Sequence, residues 1–200
     1  MKFEDKFLIF DGAMGTMLQE GLLKAGELPE ILNIKNPEAI VDIHKKYIEA
    51  GADVVTANTF GANKRKLENT GYSVSQIISA GIECAKKSGA KYTALDIGPT
   101  GALLAPIGTM GFDEAYELFA EEVAAGKDAD FIIIETMSDL LEAKAALLAA
   151  KENSDKPVFV TMTFSEDGRT FLGTDAKSAA ITLSSLGADA VGVNCSLGPE

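Results

Sequence analysis

Six short apolar runs constrain this chain more than any other feature: Lys6–Asp11, Asp53–Asn58, Lys91–Ile97, Asp130–Thr136, Pro157–Phe164 and Asp189–Cys195. Their starts lie 27 to 47 residues apart (positions 6, 53, 91, 130, 157 and 189). Each run is almost continuously apolar, as strands buried on both faces must be. The intervals hold helix patterns. Asn36 and Pro37 read as a helix start, with Ile40, Ile43, Tyr47 and Ile48 as the buried stripe. Ser73 and Gln76 have capping-box spacing, and Asp113, Ser138 and Asp175 read as N-caps. Gly51, Gly89 and Gly187 stand where a helix needs a left-handed last residue, and Gly126 reads the same way.

Regular β-α alternation predicts a parallel sheet with helices outside it. A doubly wound sheet and a barrel share that alternation. A barrel is favoured because polar residues end every run: Asp11, Asn58-Thr59, Asp96, Glu135-Thr136, Thr161-Met-Thr163 and Asn194-Cys195. A doubly wound site concentrates at one switch point instead, and no G-x-G-x-x-G follows the first run. The expected fold is therefore an α/β, (β/α)8 TIM-type barrel, truncated here to its first six β-α units. The 200 residues read as one domain, incomplete at its C-terminus, with strands in sequential order. The first and sixth strands would then present open edges, a route to self-association.

The net charge of −12, from 18 basic and 30 acidic residues, argues against nucleic acid or an anionic membrane as partner. Met1–Lys6 has mixed charge unlike a signal peptide, and no apolar run approaches the ~18 residues of a membrane span. The two cysteines, Cys84 and Cys195, suggest no disulfide framework, so a reduced, cytoplasmic setting is expected.

The strand tips carry the candidate chemistry. Asp11, Gly12, Ala13, Met14, Gly15 and Thr16 form a glycine-bracketed turn whose N–H groups suit a carboxylate or a phosphate, and equally suit a plain tight turn. Glu135 follows Phe131–Ile134 on a central strand, where a carboxylate needs a cation such as a substrate ammonium or a neighbouring Lys or Arg. Cys195 ends the last strand, where a thiol meets a metal or substrate; Cys84 falls in helical register with Ile77 and Ile78 and reads as core. His44, the single histidine, reads as a helix residue far from any strand tip. That leaves a Cys-His mechanism without a base, and no tip lysine supports a Schiff base.

Seven motifs recur together in order: Asp11–Gln19, Asn33–Pro37, Glu49–Asp53, Thr56–Gly61, Gly98–Gly101, Glu135-Thr136 and Gly192–Cys195. On these the chain resembles the homocysteine S-methyltransferase family, and within it the N-terminal homocysteine-binding domain of the cobalamin-dependent methionine synthases. The resemblance implies an eight-unit barrel and a Zn2+ held by three cysteines. Cys195 matches one of them, as metal ligand and catalytic centre. The other two form an adjacent pair that these 200 residues lack. It further implies that the Asp11–Thr16 turn takes the substrate carboxylate and Glu135 its ammonium. Asp11, Asn58, Thr59, Thr136 and Asn194 would complete the polar lining. Metal coordination would remove the thiol proton, which a free thiol of pKa about 8.5 largely keeps at neutral pH. A methyl donor, methylcobalamin by resemblance, would arrive on a corrinoid-carrying domain or protein; betaine and methylated amino acids serve related barrels. Two other readings stay open: an amino-acid-binding module without transfer, and a phosphate-binding barrel enzyme, which expects a glycine-rich phosphate loop after strands seven and eight.

Overall fold

The computed structural model describes residues 7–19, 23 and 26–196. Among them, helices α1 Met14–Gln19, α2 Leu32–Lys35 and α3 Pro37–Glu49 precede strand β1 Val54–Thr56. Helices α4 Lys64–Leu67 and α5 Val74–Lys87 lead to β2 Tyr92–Ile97, and α6 Phe112–Ala125 to β3 Phe131–Met137. The chain continues through α7 Leu140–Asn153, β4 Val158–Met162, α8 Ala176–Ser185 and β5 Ala190–Val193. The described strands form one parallel sheet in the order β1-β2-β3-β4-β5. The order never reverses, as the even repeat predicts.

The first expected strand is the exception. Lys6 lies outside the described residues, and Phe10 makes only an isolated parallel bridge to Val54. The Asp11 amide still donates to the Val54 carbonyl at 2.9 Å. Beyond it the Asp11 side chain, not the backbone, accepts the Thr56 N–H at 3.0 Å, which ends the ladder. The described sheet therefore has five strands rather than six.

Helix starts follow the sequence in part. Ser73 and Gln76 form both bonds of a capping box, and Asp175 accepts from the Ser178 amide. Asn36 precedes Pro37 but makes no side-chain cap bond. Gly111 rather than Asp113 precedes α6, and Asp139 rather than Ser138 caps α7 by accepting from the Leu141 amide. Gly51, Gly89 and Gly187 are left-handed as expected, whereas Gly126 has φ −85°. A Cβ on Gly126 would come within 2.3 Å of the Leu95 side chain, so the requirement there is close helix-to-sheet approach.

Period-2 alternation sorts the strand residues onto two faces. Val55, Leu95, Ile97, Ile132, Ile134, Val158 and Val160 join the large core formed with α5, α6 and α7. The opposite face gathers Val54, Ala94, Phe131 and Ile133 with Phe10, Tyr92 and Phe159. Phe131 stacks tilted against Phe159 at 5.3 Å and edge-on to Phe10 at 5.9 Å. That aromatic layer is the floor on which the strand-tip residues stand. A third cluster, Leu18, Ile40, Val41, Ile43 and Cys84, ties α1 and α3 to α5. The α3 stripe is thus Ile40, Val41, Ile43 and His44, with Tyr47 and Ile48 only half-buried.

Candidate active site

A cavity of about 620 Å³ opens above the aromatic layer. Alternation beyond Ala94, Phe131 and Phe159 carries Asp96, Glu135 and Thr161 up the same face and into its wall. Its lining includes ten of the twelve expected residues: Asp11, Gly12, Ala13, Met14, Gly15, Asn58, Glu135, Thr136, Asn194 and Cys195. Thr16 lies exposed on α1, outside the wall. Thr59 is fully buried outside it too. Its hydroxyl donates to the Asp96 carbonyl at 2.8 Å and accepts the Asp96 amide at 3.1 Å, clamping the loop after β1 to β2.

Register along β3 slips between Ile134 and Met137, a bulge at the strand tip. There Thr136 takes φ +61°, an unusual conformation for a β-branched residue, and Cys195 takes φ +47° at the neighbouring tip. Asn194 links the two. Its Oδ1 accepts the Thr136 amide and the Thr161 hydroxyl, each at 2.9 Å. Its Nδ2 donates to Thr136 Oγ1 at 2.7 Å, Glu135 Oε2 at 3.4 Å and Cys195 Sγ at 3.6 Å. The Thr136 hydroxyl also donates to Cys195 Sγ at 3.8 Å. One amide therefore holds the carboxylate and the thiol at fixed places on one wall.

Elsewhere in the wall Asp11 is held by Thr56 and approached by His44. Thr56 donates its hydroxyl to Asp11 Oδ1 at 2.9 Å, and His44 Nδ1 stands 3.7 Å from Oδ2. His44 is therefore not remote from the strand tips: α3 packs under the first turn and aims its histidine at Asp11. Gly12 follows, and a Cβ there would meet the Tyr47 ring at 2.9 Å, so only glycine lets the turn lie on α3. Tyr47 donates its hydroxyl to the Ala13 carbonyl at 3.1 Å. Asn58 donates to the Pro29 carbonyl and to Asn33 Oδ1, both at 2.9 Å, which spends both its donors on the fold.

Two carboxylates in the wall lie outside the expected set. Asp96 and Glu30 are 7% and 3% exposed, and Asp96 Oδ1 and Glu30 Oε2 have no hydrogen-bond partner. Glu30 Oε1 accepts the Gly61 amide at 2.6 Å. Asp96 is visible in sequence as a polar strand end; Glu30 has no such signal. Burial, and then the Glu135, Asp11 and Glu30 charges, hold the Asp96 carboxyl well above the usual carboxylate range. Burial, then the Asp11 charge, also raises Glu135. Among the described lining residues none is Lys, Arg or His, so the cavity offers carboxylates to a cation.

The zinc expected by resemblance does not fit the described side chains. Among them no three His, Cys, Asp or Glu converge as a metal site, and Cys84 is buried on α5. Cys195 supplies one thiol, so no chemical step is derived through a metal here.

A parallel sheet with a carboxylate-bearing cavity at the carboxyl ends of its strands defines an α/β protein with its candidate ligand site where such sheets bind small molecules. The homocysteine S-methyltransferase family model matches residues 8–200, and the chain belongs to that family. It is 33% identical to the methionine synthase of Mycobacterium leprae, over 97% of this chain and 18% of that protein. It is 31% identical to betaine–homocysteine S-methyltransferase 1 of Sus scrofa, over 96% of this chain and 72% of that protein. The chain thus spans under a fifth of the methionine synthase it matches. The homocysteine methyltransferase MmuM of Escherichia coli, in its metallated form, superposes with a TM-score of 0.83 at 20% identity, over 96% of this chain and 75% of that one. Among the described residues no helix is long and apolar enough to cross a membrane.

Proposed function

We propose that the chain is the homocysteine-binding domain of a methionine-forming S-methyltransferase. The observation that carries this reading is the convergence of the Asp11–Gly15 turn, Glu135 and Cys195 on one cavity. An amino acid with a sulfur-bearing side chain needs three things there. Turn amides at the start of α1, which lack intrahelical partners, suit its carboxylate. Glu135, fixed by Asn194, suits its ammonium. The Cys195 wall is left for the sulfur end. In transfer, a sulfur lone pair forms the new S–CH3 bond as the donor–methyl bond breaks with its electron pair left on the donor, and the thiol proton passes to solvent. A phosphate ligand is disfavoured, because the described wall offers carboxylates and no basic side chain.

The sheet reads best as part of a (β/α)8 barrel. Val191 and Val193 of β5 are 37% and 61% exposed, as expected where further units would pack. We further propose a cytoplasmic protein working with a corrinoid-carrying partner, where a bound methylcobalamin would supply the methyl group. The likeness of the Asp11–Gln19 stretch to the methionine synthases supports that donor.

Calorimetric titration of the full chain with L-homocysteine tests the reading. Glu135→Gln should weaken binding by about 1.5–3 kcal/mol, the value of a hydrogen bond to a charged group. Unchanged affinity in the variant would remove Glu135 from the site.

A further inference from the structure

Resting on that reading, the geometry points to Asp96 as a third carboxyl of the amine subsite, one that carries a proton while the cavity is empty and gives it up to an entering ammonium. Asp96 lies one alternation deeper than Glu135: in register it sits beside Ile133, two residues before Glu135 on the same face of β3. Asp96 lines the cavity, and its buried Oδ1 has no hydrogen-bond partner among the described residues. Its backbone is fixed at both N–H and C=O by the Thr59 hydroxyl, and the residue is only 7% exposed.

A buried, unpartnered carboxylate is costly, and like charges around one space raise that cost. The groups that face Asp96 are all acidic: Asp11 ahead of α1, Glu30 in the 3-10 turn Pro29–Ile31, Glu122 on α6 and Glu135 on β3. In the empty cavity the neutral acid is therefore the stable form. An ammonium entering between Asp11, Asp96 and Glu135 changes the balance. The Asp96 O–H bond breaks, the proton passes to solvent, and the new carboxylate accepts an N–H from the ligand. Binding and proton release become linked.

The test uses L-methionine as probe, because it has the same amino-acid end and no thiol proton of its own. Calorimetry of the full chain at pH 6.5, in buffers of different ionisation enthalpy, counts the protons released. The expected result is proton release on binding in the wild type and none above background in Asp96→Asn, which mimics the neutral acid. Release that persists in Asp96→Asn, or wild-type binding heats independent of buffer, would overturn the inference while leaving the homocysteine site intact. Absence of any binding by either methionine or homocysteine would overturn both. The wild-type buffer series stands even if the variant does not fold.

Discussion

His44 Nδ1 lies 3.7 Å from Asp11 Oδ2, with the histidine side chain fully buried and the aspartate 2% exposed. The two Thr56 bonds to Oδ1 fix the Asp11 carboxylate, and the His44 ring packs beside its other oxygen at a distance longer than a hydrogen bond. A residue on α3 thus stands beside a residue of the cavity wall in the turn ahead of α1.

From that approach, His44→Leu should weaken homocysteine binding by less than the ~1 kcal/mol of a full hydrogen bond, because the 3.7 Å separation is longer than one. His44→Asn, whose amide nitrogen can occupy the Nδ1 position, should bind within a few-fold of wild type. Calorimetry on the three chains checks this, and equal affinity in His44→Leu would show that His44 does not contribute to binding.

The two thiols should differ sharply in reactivity. Cys84 is 2% exposed, its Sγ donates to the Asn33 carbonyl at 3.8 Å, and burial pushes its thiol up to about 11. Cys195 is exposed. Iodoacetamide at pH 8 should add one label per native chain, located on Cys195 by peptide mass, and none to Cys195→Ser. Equal labelling of Cys84 would show that α5 does not shield it.

Stability should fall as pH rises from acid to mildly alkaline. Glu122 is fully buried on α6 with neither carboxylate oxygen hydrogen-bonded. Burial holds its carboxyl well above the usual range, and burial raises Glu30 and Glu142 as well. In each case the folded chain keeps a proton that the unfolded chain loses above about pH 4.5. The stability gained is complete below that pH and is lost as pH rises through the higher folded value. Glu122→Met should stabilise the chain by about 1–3 kcal/mol at pH 8 and less at pH 5, read by urea unfolding. A variant with the wild-type pH slope would show that Glu122 does not carry the effect.

Zinc retention offers a direct check on the ligand set. With Cys195 as the only site thiol among the described residues, the purified 200-residue chain should hold well below one zinc after dialysis against a mild chelator. One tightly held zinc per chain would mean that the ligand set is wrong.

Much of this protein is local in origin and so is present in its sequence. Near-continuous apolar runs separated by amphipathic helices leave a parallel sheet as the economical way to bury every strand on both faces, and short β-α repeats favour sequential order. Strand-tip identity carried most of the cavity as well: Glu135 and Asn194 were expected from it, whereas Asp96, visible only as a polar strand end, was not singled out. Helix boundaries shifted by a residue or two at Asp139 and Gly111, since capping depends on local dihedrals that composition does not specify. Tertiary structure alone decided the rest. Asp11 used its side chain to end the pairing ahead of β1, Thr59 turned inward to clamp Asp96, Glu30 reached the cavity from a 3-10 turn, and His44 reached Asp11 from α3. Such contacts depend on packing between segments far apart in the chain, for which no periodicity in the residues themselves provides a signal.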